Sequence, residues 1–150
     1  MNKVSTVVAA VPDGGGMVRT HRQTHDAGRH FAVAEALMRG YRATLVDRPF
    51  VEVNGHRALV QAATKGAWQI GDVDGYTSGT IEHIILVDLM DDRREFYICP
   101  GDALRTDVCG RHSQFLASHS GRRPRTPSSK HSVIDPQQVR RWHNDWSRLG

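Results

Sequence analysis

Cysteine is nearly missing from this 150-residue chain, which holds only Cys99 and Cys109 and no C-x-x-C pair. That excludes a disulfide-built scaffold and a thiolate zinc finger. Cys99 closes an apolar stretch and reads as a small buried hydrophobe, not a nucleophile. Long apolar runs are missing too, with none near the roughly 20 residues of a membrane span. The apolar stretch from Val4 to Val11 follows a single Lys3 and runs into Asp13 and three glycines, a poor secretory signal. The expectation is a cytoplasmic protein with no membrane partner. No internal repeat is visible.

What is present fits one domain with a real core: 39% hydrophobic and 24% charged residues, near globular averages. The net charge of +4 is unevenly spread. From residue 105 onward nine Lys and Arg face three Asp and Glu, while the earlier residues hold eleven against thirteen. A basic C-terminal third on a near-neutral body points to an anionic partner, nucleic acid first and DNA before RNA.

Residues 1–25 read as a flexible leader, because periodicity is absent there and Gly14, Gly15 and Gly16 would be costly to fix. One α/β or α+β domain should fill 26–150. Asp26 is a fitting N-cap for a helix over 27–39 with Ala27, Phe31, Ala34 and Met38 inward, stopped by Gly40. Strand-like runs follow at 43–46, 50–53 and 57–65, with 68–70 extending the third, and Asn54-Gly55 is a strong hairpin turn. Further runs at 83–89 and 95–99 bring the count to five. Asp102 can start a helix to about residue 119 with Leu104, Val108 and Phe115 inward. A basic loop, 120–132, then leads to Asp135-Pro136, a helix-start signal for 136–149 with Val139, Trp142, Trp146 and Leu149 on one face. The order predicts a central mixed five-stranded sheet flanked by helices.

Alternation puts Leu59, Gln61, Ala63 and Lys65 on one face of the third strand. Glu52 lies on the preceding hairpin strand and Asp47 just upstream. Carboxylates beside an amide oxygen suit Mg²⁺ or Mn²⁺, and a lysine beside them would offset charge developing at phosphorus. In the loop, Arg122, Arg123, Arg125 and Lys130 sit among hydroxyls and prolines, and Arg140 and Arg141 follow, a phosphate-contacting set. His21 and His25 fall in the leader, and no zinc spacing completes them.

The stretches GRHFAVAEALMRGYRATLVD, VEVNGHRALVQAATKGAWQI and FYICPGD resemble the first helix and strand, the catalytic hairpin and the following strand of the PD-(D/E)XK nucleases. The likeness is to their restriction-endonuclease-like or Holliday-junction-resolvase-like form and spans about Asp26 to Pro100. It implies a restriction-endonuclease-like fold and Mg²⁺-dependent DNA cleavage by Glu52, Gln61 and Lys65, with Glu35, Asp47 and Glu52 as metal ligands. It also implies a homodimer, as in many small members. Gln61 would replace the motif's acidic residue, whereas Ala63 stands where its lysine belongs. The alternative is the same fold kept as a DNA-binding or protein-interaction module without catalysis.

Overall fold

The computed structural model describes residues 18–118 and 132–150. Its first helix, α1 (His21–Met38), begins five residues before Asp26. Thr20 accepts from the Gln23 backbone N–H, and the Gln23 side chain accepts from the Thr20 N–H in return. This reciprocal box satisfies two otherwise unpaired donors of the first turn. Residues 21–25, expected in the leader, are therefore helical, while 1–17 lie outside the described residues. Asp26 is no cap but an anchor, ion-paired to both Arg29 and Arg48.

The strands β1 (Ala43–Leu45), β2 (Phe50–Val53), β3 (His56–Ala63), β5 (His83–Asp88) and β6 (Glu95–Pro100) form the expected mixed five-stranded sheet, in that order. Its one parallel pair is β3 with β5. At the β2–β3 hairpin Asn54 and Gly55 both take positive φ, which a two-residue turn matched to the sheet's twist requires. Strand β4 (Trp68–Ile70) does not extend β3; it pairs with β7 (Ser132–Ile134) in a separate ribbon. A short helix, α2 (Val73–Thr77), and the long α3 (Gly101–Ser118) complete the layer on that side.

The sheet separates two cores. On one face Ala58, Val60, Ala62, Ile85 and Val87 pack with Ala32 and Ala36 of α1. On the other, Ile84, Leu86, Tyr97 and Cys99 pack with Trp68, Leu104, Val108 and Ile134. Because β5 is covered on both sides, its sequence is a continuous apolar run without alternation.

The buried stripe of α1 is Gly28, Ala32 and Ala36, one residue round from the expected one, and Met38 is 85% exposed. Closeness decides this. A Cβ on Gly28 would stand 2.6 Å from the Cβ of Ala62, so only small residues fit against β3 and the bulky ones flank the contact.

The expected helix at 136–149 is absent. Two 3-10 turns, Arg140–Trp142 and Trp146–Leu149, stand in its place. Trp142 joins one core and Trp146 the other, so the segment crosses the β6 edge instead of lying along one face. The Asn144 N–H donates to Phe96 O at 2.8 Å, and His143 bridges Tyr97.

Replacing a helical glycine by alanine ordinarily gains about 1 kcal/mol. At position 28 the clash with Ala62 reverses the sign, and Gly28→Ala should destabilise by about 1–2 kcal/mol net. Urea unfolding measures it, and a raised midpoint would show that α1 and β3 are not so closely packed.

Candidate nucleic-acid interface

The sheet opens where β2 leaves β3. The last rung is Phe50 opposite Leu59, followed by Val60 N–H to Pro49 O at 3.1 Å. Arg29 holds the turn between β1 and β2 from beneath. Only 5% exposed, it donates to the carbonyls of Val46 and Phe50. Beyond Val60 the next amide aimed to that side, Ala62 N–H, has no strand to meet. His25 supplies the acceptor instead, its Nδ1 lying 3.4 Å away. With Nδ1 so engaged, the ring proton sits on Nε2, free to donate.

At this opening a cavity of about 500 Å³ is lined by Arg19, His21, Thr24, His25, Gln61, Thr64, Lys65 and Gln69. Val18, Trp68 and the methyls of Ala62, Ala63 and Ala67 complete the wall. Neither Arg19 nor Lys65 makes an ion pair among the described residues. His21 and His25, one helical turn apart, stack with ring centroids 6.2 Å apart. Burial, then the neighbouring His21, pushes the His25 imidazole below its usual range, against an upward pull from Asp26.

Gln61 and Lys65 are thus brought together, though Lys65 stands two residues past the end of β3. The Gln61 oxygen accepts the Tyr76 hydroxyl at 3.1 Å. Burial raises the Tyr76 pKa well above the usual phenol range, so that donor stays protonated. With its oxygen engaged, Gln61 has its amide N–H groups left for a ligand.

The other expected site residues lie elsewhere. Glu52 is exposed on the same sheet face, but it pairs with Arg57, four residues from Gln61, or about 13 Å at strand rise. Asp47 is exposed in the β1–β2 turn, outside the cavity lining. Glu35 is ion-paired to Arg39 at 2.7 Å on α1. Asp88, in register with Ala63, turns its carboxylate to Met90 N–H at 2.9 Å and to Arg93 at 3.6 Å. Arg141 stacks on Trp142 at 4.0 Å and lines a smaller recess with Asp102 and Asp107. Arg140 shares its 3-10 turn. Arg122, Arg123, Arg125 and Lys130 lie outside the described residues.

A hard divalent cation needs several oxygen ligands, carboxylates foremost. Among the described residues the cavity lining contains no carboxylate, and the Gln61 oxygen already accepts one hydrogen bond. Among the described residues no cluster of three or more His, Cys, Asp and Glu could hold a metal ion. These residues do not fit Mg²⁺. They fit an anion.

No protein-family model matches the chain, and no curated protein matches it. Among solved structures it is similar to a bacterial homing endonuclease, I-Ssp6803I. The two are 13% identical over 88% of this chain and 92% of that one, with a TM-score of 0.49. A likeness this remote says nothing of what the cavity holds. No helix among the described residues is long and apolar enough to cross a membrane.

Arg19, His21 and His25 were not singled out as site residues in the sequence. The Thr20-x-x-Gln23 capping box was the signal that could have placed them on a helix.

The lowered His25 pKa has a definite sign. Below about pH 6.5 the unfolded chain takes up a proton that the folded one resists, so stability falls as pH drops through that value toward the folded pKa. His83, lowered by burial and by His56, adds in the same direction. The urea midpoint should drop between pH 7.5 and 5.5. His25→Gln, which keeps an acceptor for Ala62, should shrink the drop by the His25 share. An undiminished drop would mean that the imidazole is not desolvated.

Proposed function

We propose that the chain is a nucleic-acid-binding module on an α/β fold, gripping backbone phosphate in the cavity at the end of β3. The observation that carries this reading is that Arg19, His21, His25 and Lys65 line one recess with no carboxylate among its described residues. Guanidinium and ammonium groups supply charge-assisted bonds, and the His25 Nε2–H and the Gln61 amide add neutral donors. On this reading the recess engages phosphate, which carries no sequence information, so affinity should depend little on sequence. Trp68, 2% exposed with its N–H given to Val87 O at 3.1 Å, belongs to the wall and is no stacking platform.

A second reading keeps one specific support, the meeting of Gln61 with Lys65. It is the Mg²⁺- or Mn²⁺-dependent endonuclease implied by the resemblance to PD-(D/E)XK nucleases. The positions of Glu35, Asp47 and Glu52 weigh against it.

Electrophoresis with labelled duplex DNA, single-stranded DNA and RNA, in Mg²⁺, Mn²⁺ or EDTA, tests both. Binding without cleavage that persists in EDTA is expected. Lys65→Ala should weaken binding evenly across sequences and reduce the slope of log K against log salt by about one. Metal-dependent cutting would put the endonuclease reading first, and an unchanged salt slope would remove Lys65 from the interface.

A further inference from the structure

We propose that this cavity seats a terminal phosphomonoester, the phosphorylated end of a nucleic-acid strand, in preference to an internal phosphodiester. The proposal rests on the reading that the cavity grips nucleic-acid phosphate.

The shape of the recess favours an end. A continuous backbone is best followed by cations spread along a groove. Here the cations converge on one recess of about 500 Å³, a small-ligand size, with a wall of alanine methyls and the Trp68 indole. A strand meets such a recess most easily with its end. Trp68, the one Trp, Tyr or Phe among the described lining residues, is buried and offers a flipped-out base no face to stack on.

Charge and donor count favour it as well. An internal diester carries one negative charge and two non-bridging oxygens. A monoester carries about −1.5 to −2 near neutral pH and three terminal oxygens. The recess offers two fixed cations, Arg19 and Lys65, together with the His21 ring, the His25 Nε2–H and the Gln61 amide. Brought to one phosphorus, that set would exceed what a diester can use and would suit a monoester.

The test is a fluorescence-polarisation titration of the full chain, in EDTA, with one single-stranded sequence made in three forms: 5′-phosphorylated, 3′-phosphorylated and hydroxyl-ended. At least one phosphorylated form should bind about tenfold or more tightly than the hydroxyl-ended strand, as one or two added charge-assisted bonds imply. Inorganic phosphate should compete with it. Lys65→Ala and, separately, Arg19→Ala should bring it down toward the hydroxyl-ended level; both side chains are exposed, so the fold should survive, as circular dichroism would verify. Equal binding of all three forms that still depends on Lys65 would overturn this proposal and leave phosphate gripping intact. An end preference untouched by both substitutions would place the end elsewhere and also overturn it. No binding of any form would sink both readings.

Discussion

Gly28 has no side chain, and the helix carrying it consequently lies almost against the central strand. A Cβ there would sit 2.6 Å from Ala62. Most of the candidate site follows from this approach. It sets the first turn of α1 at the place where β2 leaves β3, close enough for His25 to take the amide that β2 leaves unpaired. It also brings His21, Thr24 and Arg19 alongside Gln61 and Lys65. Arg29 serves the same junction from within, tying the β1–β2 turn to the helix through two backbone carbonyls and Asp26. A larger residue at 28 would lift the helix and pull the imidazole from its acceptor position.

The sheet was legible because its signals are local. The Asn54-Gly55 turn fixes a hairpin whatever surrounds it, and the apolar run of β5 can sit only in an interior. Both ends of the domain depart from their local sequence pattern, for different reasons. At the front, the glycines of residues 14–16 mask the short capping signature at Thr20 and Gln23 that starts the helix five residues before Asp26. At the back, Pro136 and the spacing of Trp142 and Trp146 do suggest a helix. The two indoles instead serve opposite sides of the sheet, which a single helical face cannot do. Tertiary demand overrode local pattern there.

The site was half legible. Gln61 and Lys65, which share a strand face by spacing, line one cavity. The carboxylates expected beside them could not be placed from one dimension: Glu52 is four positions away along the strand, and Glu35 faces Arg39. With them elsewhere, the chemistry of the recess changes sign. A cavity expected to draw a cation through its oxygens instead presents guanidinium, ammonium, imidazole and amide donors. The Gln61 oxygen adds to that inversion, since it already accepts from the half-buried Tyr76 hydroxyl.

The segment that crosses the β6 edge bears on how the domain is made. Trp142 and Trp146 close the two cores, and Asn144 and His143 pair with the otherwise open strand. During synthesis, at about 5–20 residues per second, everything through β6 emerges before these residues do. Until they follow, the nascent sheet carries an unpaired edge flanked by two unfinished apolar surfaces. The ribosome therefore releases the means of closing this fold only after the sheet itself, and the interval before closure is when the chain is most open to a chaperone or to a neighbour's strand.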